Sequence, residues 1–166
     1  MTPIEDPSTP GRWDLRDPAV LLATGFGLGL LPVAPGTWAS LAALPVAWGI
    51  VEAVGRPGLA IAGVAAFIAG VWAASACVRE RGQEDPAPVV IDEIAGQWLV
   101  LVAVIPDPIQ YGLGFALFRA FDILKPWPVS WADRAVRGGV GVMLDDVLAA
   151  AYAVLALLVI QQIWGG

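Results

Sequence analysis

Long apolar stretches separated by short charged islands are the dominant pattern of this 166-residue chain. Residues 58–77 and 147–164 carry no charged side chain, and residues 37–54 carry only Glu52. Each stretch approaches the roughly 20 apolar residues that an α-helix needs to cross the hydrocarbon core of a bilayer. The pattern therefore predicts three membrane-spanning helices.

Two further apolar segments, 94–105 and 109–118, are each too short to cross a bilayer alone. Between them lies Pro106-Asp107-Pro108, where proline interrupts helical backbone. We expect the two segments to form a helical hairpin with Asp107 at its outer turn. The inner ends of this hairpin would then reach the charged islands.

Residues 24–36 are apolar, but glycine and proline are too frequent there for a stable helix. Irregular backbone at membrane depth has to be buried in protein or line a wet cavity. We therefore expect a re-entrant or interfacial loop on the cytoplasmic side. Farther along, a row of small side chains recurs at helical spacing and favours close helix packing in the bundle: Ala62, Ala66, Gly70 and Ala74.

The predicted fold is an all-α integral membrane bundle of about four to five spanning or half-spanning helices, with the Gly/Pro-rich loop at the interface. Residues 1–17 hold six charged side chains and are expected to form a polar cytoplasmic arm. Residues 18–166 would form a single membrane domain. The chain starts with acidic residues and lacks the basic-then-apolar pattern of a secretory signal, so we expect no cleaved signal peptide.

Lysine and arginine set the expected orientation, because cytoplasmic loops carry an excess of both. With the N-terminus in the cytoplasm, eight of the nine basic residues fall on the cytoplasmic side, and only Arg56 falls outside. The opposite orientation would export those eight residues. The charged islands are therefore expected to face the cytoplasm.

Composition excludes several classes of protein. Hydrophobic residues make up 58% of the chain and charged residues 14%, against about 45–50% and 25% in a soluble domain. This excludes a disordered chain and disfavours an ordinary soluble globule. A net charge of −6 argues against nucleic-acid binding. The absence of histidine excludes an imidazole base or ligand, and the single Cys77 excludes an internal disulfide.

Carboxylates on or beside the apolar segments are the first candidates for chemistry, because an acidic group at membrane depth is unfavourable by roughly 2.5–3.5 kcal/mol. Such groups usually face a cavity. Six lie on the predicted inner side: Asp85, Asp92, Glu93, Asp122, Asp145 and Asp146. Two like-charged pairs brought together repel unless positive charge lies between them. Oxygen ligands without histidine or cysteine suit Mg²⁺, Mn²⁺ or Ca²⁺ rather than zinc.

Each acidic pair also has a purely structural interpretation. Asp145-Asp146 could cap the last helix, where its negative charge favours the positive end of the helix dipole. Asp92-Glu93 could be an interfacial pair whose side chains reach toward water. Neither interpretation requires a metal ion.

A mixed cluster of charges follows the hairpin. Arg119, Asp122 and Lys125 are spaced by three residues, so all three can share one helix face, and Lys125-Pro126 is expected to end the helix. Cations beside a carboxylate metal site are what a phosphate monoester requires, because phosphoryl transfer depends on positioning and charge neutralisation. The alternative is a structural ion-pair cluster that anchors the hairpin.

Thr37 is a further candidate, because Pro35-Gly36 makes a turn and the threonine hydroxyl can cap the helix that follows. The free N–H groups of a helix N-terminus suit an anion such as phosphate. A plain helix cap is the alternative interpretation.

Four stretches resemble, in order, bacterial phosphatidylglycerophosphatase A: 27–41, 85–98, 118–133 and 138–153. The resemblance implies an all-helical membrane enzyme of the bacterial cytoplasmic (inner) membrane. It also implies a Mg²⁺-dependent phosphatase that converts the lipid phosphatidylglycerophosphate to phosphatidylglycerol at the cytoplasmic face.

Carried over by position, the resemblance implies functional residues in three motifs: Asp92 and Glu93 of IDE, Asp122 and Lys125 of FDxxKP, and Asp145 and Asp146 of MxDD. Motif positions with less defined roles are Thr37, Arg119, Asp85 and Asp133. Ala39 and Ala150 stand where the family pattern leads us to expect glycine. Both changes replace one small residue by another.

The hypothesis that follows places Mg²⁺ among four carboxylates, where it would polarise the phosphoryl oxygen and lower the pKa of a bound water: Asp92, Glu93, Asp145 and Asp146. Lys125 and Arg119 would hold the phosphate. Asp122 or Asp85 would orient or deprotonate the water, and an aspartyl nucleophile stays open.

Two other classes of function compete with this hypothesis. A small transporter or channel subunit would use intramembrane carboxylates as a cation path, with charges distributed through the membrane depth. A structural bundle subunit would need no cations beside the acids. The sequence leaves the oligomeric state open.

Overall fold

The computed structural model describes residues 13–164, so residues 1–12 of the predicted arm and residues 165–166 of the predicted membrane domain lie outside the described residues. Every regular element in the described range is helical, which confirms the all-α class. The helices in chain order are α1 (Pro18–Ala23), α2 (Pro35–Arg81), α3 (Ile91–Val102), α4 (Pro108–Leu124), α5 (Val129–Ala135) and α6 (Gly138–Trp164).

The 47-residue α2 contains both predicted spans 37–54 and 58–77. Gly55 interrupts it with non-helical backbone (φ 75°, ψ 176°), and Pro57 follows, so α2 consists of two helical halves that meet at a kink. α2 and the segment Gly138–Ile163 of α6 are both long and apolar enough to cross a membrane. The total number of spans stays a prediction.

The last helix begins at Gly138, nine residues before the predicted start at residue 147. The prediction stopped at the charged pair Asp145-Asp146, which the structure instead places inside α6 at 7% and 2% exposure. Lys125 at the end of α4 pairs with Asp145, and Asp146 lies beside the acids of α3, so the pair belongs to the interior of the helix and not to its first turn. The interpretation of the pair as a helix cap is therefore wrong.

The expected hairpin segments are both helical, as α3 and α4, and they pack against each other. Asp107 caps α4, because its side chain accepts hydrogen bonds from the backbone N–H groups of Ile109 and Gln110, both at 3.0 Å. Lys125 ends α4 in a left-handed conformation (φ 42°), directly before Pro126 as predicted.

The Gly/Pro-rich segment 24–36 contains one 3₁₀ turn, Leu28–Leu30, before α2 starts at Pro35. Gly25 in this segment lies against Val90 and Ile94 at the start of α3. Directly before the segment, the carbonyl oxygen of Ala23 accepts a hydrogen bond from the N–H of Val90 at 2.8 Å. The depth of this segment in a membrane stays a prediction.

The outer faces of α2 and α6 expose large apolar side chains, while α3 lies inside and packs against α2, α4 and α6. Contiguous exposed apolar surface of this kind marks a membrane or protein contact. The most exposed members include Ile61, Ile68, Leu155 and Val159. The apolar helices and this surface indicate a membrane-associated protein.

The first half of α2 and α3 run side by side in the same direction. Gly36, at the start of α2, lies against Glu93 at the start of α3. Farther along, the indole Nε1 of Trp98 donates to the carbonyl oxygen of Ala43 at 3.0 Å. This arrangement brings the starts of α2 and α3 to one end of the bundle, which is where the polar residues gather.

Candidate active site

Three acidic side chains from two helices form a cluster. Asp92 and Glu93 lie in the first turn of α3, and Asp146 lies eight residues into α6. One carboxylate oxygen of each lies within 4.8 Å of the others, a spacing that allows the three to share one cation. We call Asp92, Glu93 and Asp146 the carboxylate cluster.

Two glycines allow the helices around the cluster to approach closely. A Cβ atom at Gly36 would lie 1.8 Å from Oε1 of Glu93, so any other residue there would displace this carboxylate. A Cβ atom at Gly96 would lie 3.2 Å from the carbonyl oxygen of Asp146 and 2.7 Å from Cζ of Phe118. Both glycines lie inside motifs of the sequence, but sequence reasoning did not select them, because it considered only groups that carry chemistry.

Each member of the carboxylate cluster has a buried oxygen without a hydrogen-bond partner in the described part of the chain: Oδ1 of Asp92, Oε2 of Glu93 and Oδ2 of Asp146. Burial, reinforced by the neighbouring charges of Glu93 and Asp146, raises the pKa of Asp92 well above its ordinary value. Close, buried and unpartnered carboxylate oxygens are the donor set that a hard divalent cation prefers. The residues therefore fit Mg²⁺.

Arg119 lies at the edge of the carboxylate cluster. Its Nη1 is 2.6 Å from Oδ2 of Asp122 and 3.7 Å from Oε1 of Glu93. Asp122 in turn is close enough to Asp146 for its charge to act on that carboxylate. Arg119 and Asp122 thus share one face of α4, as predicted, and their ion pair lies beside Glu93 of the carboxylate cluster.

Lys125 does not join that face, because its left-handed backbone turns the side chain toward α5 and α6. Its ammonium group donates to Asp133 and, at 2.8 Å, to Oδ2 of Asp145. Burial lowers the pKa of Lys125, but hydrogen bonds to these two carboxylates outweigh burial and raise it above its ordinary value. The side chain is therefore a fixed positive charge.

Asp145 and its neighbour Asp146 have different surroundings. Oδ2 of Asp145 binds Lys125, and Oδ1 accepts a hydrogen bond from the backbone N–H of Asp146 at 3.1 Å. The structure thus brings three of the four predicted metal ligands together and pairs Asp145 with a lysine. Adjacent residues on a helix point about 100° apart, which separates the two side chains.

A polar pocket of about 200 Å³ opens beside the cluster. Its charged lining residues are Asp92 and Asp145, the predicted Asp85 and Asp133, and Glu84 with Arg134 and Arg137. Val136, Gly141 and Val142 complete the lining. The two arginines are pocket residues that sequence reasoning missed, although they follow Asp133 closely in the chain. They add positive charge to a wall that otherwise carries carboxylates.

Thr37 does not cap α2. The helix starts at Pro35, with Ala34 before it in a left-handed conformation and without a side-chain cap. Proline is well suited to the first helical position, so the helix begins two residues earlier than the prediction assumed. Thr37 lies half-buried in the first turn, next to Gly36, and its role in substrate binding stays a prediction.

A family model described as Phosphatidylglycerophosphatase A matches residues 21–161. The chain belongs to this family. The matched region contains the carboxylate cluster, Arg119, Lys125 and the whole polar pocket, so the resemblance expected from the four motifs is confirmed.

Relatives in the phosphatidylglycerophosphatase A family match over nearly their full lengths. Phosphatidylglycerophosphatase A of Escherichia coli (strain K12) is 36% identical over 161 residues, which cover 92% of this chain and 89% of the relative. The protein of the same name from Haemophilus influenzae is 40% identical over 148 residues, which cover 89% of this chain and 91% of the relative.

A Bacteroides thetaiotaomicron protein, provisionally named a phosphatidylinositol-3-phosphatase, is 41% identical and covers 88% of this chain and 95% of its own. No solved structure matches the chain.

Proposed function

We propose that this protein hydrolyses phosphatidylglycerophosphate to phosphatidylglycerol and inorganic phosphate, with Mg²⁺ as cofactor. Family membership supports the substrate and the reaction. The observation that carries the chemistry is the carboxylate cluster with its three unpartnered buried oxygens, flanked by the cations Arg119 and Lys125. Asp92, Glu93 and Asp146 are the proposed Mg²⁺ ligands.

The cation supplies Lewis acidity toward the phosphoryl group when it is bound. Arg119 and Lys125 place positive charge where the phosphate oxygens gain negative charge in the transition state. In the overall reaction a water oxygen forms the new bond to phosphorus, the bond from phosphorus to the glycerol oxygen breaks, and that oxygen takes up a proton. Asp122 or Asp85 would orient this water or accept its proton.

Asp145 and Asp133 have a positioning role in this proposal, since both hold the ammonium group of Lys125. Attack by an aspartate in place of water remains the alternative route. Hydrolysis of a phosphorothioate analogue that is chiral at phosphorus, in water of a third oxygen isotope, separates the two, because direct attack by water inverts the configuration at phosphorus whereas two successive displacements retain it.

The proposed location is the bacterial cytoplasmic membrane, with a multi-pass chain and the site on the cytoplasmic side. The distribution of basic residues supports this orientation. The gathering of the polar residues at one end of the bundle favours an interfacial enzyme over a transporter, which would need charges through the membrane depth. The unpartnered oxygens of the carboxylate cluster likewise favour an enzyme over a purely structural ion-pair cluster, in which buried charges would be paired.

The test is phosphate release by the purified protein from phosphatidylglycerophosphate in mixed micelles, with Mg²⁺ or with EDTA. Parallel reactions use phosphatidate, lysophosphatidate and phosphatidylinositol 3-phosphate. We expect rapid Mg²⁺-dependent release from phosphatidylglycerophosphate. Preference for phosphatidylinositol 3-phosphate would overturn the substrate, full activity in EDTA would overturn the metal, and release from none would restore the transporter hypothesis.

A further inference from the structure

An apolar cavity of about 480 Å³ lies between the two halves of α2, α3 and the loop that follows α1. Seven of its lining residues are alanines of α2, contributed by both halves of the helix, and no charged side chain of the described residues lines it. We call this space, bounded by Ala42, Ala65 and Ala69 together with Ile91 and Ile94, the alanine cavity.

The alanine cavity shares a wall with the proposed active site. Ile91 and Ile94, which line it, stand directly before and after Asp92-Glu93 in the first turn of α3. Ala39 also lines it, one helical turn after Gly36, whose backbone lies against Glu93. The start of α3 therefore turns Asp92 to the polar pocket and its two isoleucines to the cavity.

The small-residue row divides at this cavity. Gly70 and Ala74 are buried, and Gly70 packs against Met143, as expected for helix contact. Ala62 and Ala66 instead line the cavity. Helix packing therefore explains Gly70 and Ala74, whereas the small side chains of Ala62 and Ala66 leave the cavity unfilled.

The occupant of such a space has to be apolar. Protein interiors are normally packed without voids larger than a water molecule, and an apolar cavity does not hold water. Its volume lies within the roughly 300–1,000 Å³ typical of small-molecule sites. The exposed Phe26 and Val46 at its border place its opening on the apolar surface of the bundle.

We propose that the alanine cavity binds one acyl chain of the phospholipid substrate while the phosphate lies at the carboxylate cluster. The inference rests on the proposed function and adds to it the place of the lipid tail. Because the cavity and the cluster share the first turn of α3, a chain seated in the cavity would hold the headgroup next to the acids. The cavity would then contribute to the binding of a diacyl substrate and not to the chemical step.

Filling the cavity tests this proposal. Ala65→Phe places a ring in the cavity from an exposed position, and Ala42→Phe does so from the opposite half of α2. The matched control is Val64→Phe, because Val64 is 54% exposed and does not line the cavity. Each variant is assayed on dioleoyl phosphatidylglycerophosphate and on its deacylated, water-soluble headgroup, and its folding is checked by thermal unfolding.

We expect both cavity variants to raise KM for the dioleoyl lipid about tenfold, the loss that follows from displacing about two methylene groups from apolar surroundings. Their kcat, and their turnover of the deacylated headgroup, should stay at the wild-type level, as should both activities of Val64→Phe. Unchanged KM in the cavity variants, or an equal loss on both substrates, would overturn the acyl-chain site. If the wild-type protein releases phosphate from neither substrate, the proposed function itself fails.

Photo-crosslinking gives a readout that does not depend on turnover. A diacyl phospholipid with a diazirine in the middle of one chain is irradiated with the wild-type protein, and crosslinked peptides are mapped by mass spectrometry. We expect crosslinks, removed by excess dioleoyl phosphatidylglycerophosphate, at the cavity-lining residues of α2: Ala42, Ala43, Val46, Ala62, Ala65, Ala66 and Ala69. Crosslinks confined to the outer-face residues Ile61 and Ile68, or crosslinks that the substrate does not displace, would overturn the proposal.

Discussion

At the scale of single residues, neighbouring acids have different tasks. Asp146 offers a buried, unpartnered oxygen to the carboxylate cluster, whereas Asp145 holds Lys125 at 2.8 Å. Sequence reasoning selected both aspartates as metal ligands, because a pair in the chain carries no information about which way each side chain points. The left-handed backbone conformation of Lys125, which places its ammonium group against Asp145, could not be predicted from the sequence either.

The two aspartates should therefore respond differently to substitution. Asp146→Asn should weaken the binding of Mn²⁺, the spectroscopic substitute for Mg²⁺, by at least about tenfold, because it removes a proposed ligand. It should also abolish the rise in Tm that we expect Mg²⁺ to produce in the wild-type protein. Asp145→Asn should keep most of the Mn²⁺ affinity and lower kcat, because Lys125 loses a charged partner. Titration of Mn²⁺ by electron paramagnetic resonance checks the affinity, and an equal loss in both variants would contradict the assignment.

Gly36 is a second residue whose task only the structure shows. Gly36→Ala would place a methyl group 1.8 Å from Oε1 of Glu93, so the carboxylate has to move. We expect a loss of about 1–3 kcal/mol in the free energy of unfolding, as for other overpacked sites, together with weaker Mn²⁺ binding.

The matched control for Gly36→Ala is Gly49→Ala in the same helix, where an added Cβ meets no atom within 4 Å. Alanine is the better helix former, so this variant should be stabilised by about 0.5–1 kcal/mol and keep full activity. Chemical unfolding of both variants measures the difference. A Gly36→Ala protein as stable and as active as wild type would show that Glu93 can move without consequence.

At the scale of helices, one end of the bundle should serve catalysis, and the other end should serve only the stability of the fold. The starts of α2 and α3 and the end of α4 hold the site, whereas the hairpin turn around Asp107 lies at the opposite end of α3 and α4. The sequence predicted this hairpin well, because proline marks its turn and the apolar segments are continuous. The predicted start of α6 was nine residues too late, because the sequence does not show whether the aspartates Asp145 and Asp146 are buried inside a helix or exposed before it.

Asp107→Ala should lower stability without affecting catalysis. The substitution removes the side-chain cap of α4, which accepts two backbone hydrogen bonds, and such caps contribute about 1 kcal/mol. We expect a lower Tm with unchanged kcat/KM. Asp107→Asn, which keeps an acceptor, should retain most of the stability, and a loss of kcat/KM in Asp107→Ala would contradict the separation of the two ends.

At the scale of the whole molecule, the kinked α2 returns the chain to the end where it started. Glu84 lies after the second half of α2, beside the polar pocket, and Arg56 lies at the kink. In the proposed orientation these two positions lie on opposite sides of the membrane. The folded protein offers a direct way to test this, since its one cysteine, Cys77, is buried.

Single-cysteine labelling in a Cys77→Ser background should distinguish the two sides. Arg56→Cys should react with a membrane-impermeant maleimide in intact cells, and Glu84→Cys should react only after the membrane is permeabilised. The reverse pattern would contradict the cytoplasmic location of the site, and labelling of both from one side would contradict the multi-pass topology.

The sequence by itself determined the helical class, the apolar segments, the family and nearly all of the residues that carry charge at the site. These properties follow from composition, periodicity and short motifs, which are local in the chain. Only the tertiary structure decided which acids meet, because the carboxylate cluster joins residues more than fifty positions apart, where Gly96 allows α3 to approach α6 closely. It alone showed the alanine cavity, since a cavity is the space that distant alanines leave between helices, and no segment of the sequence contains it.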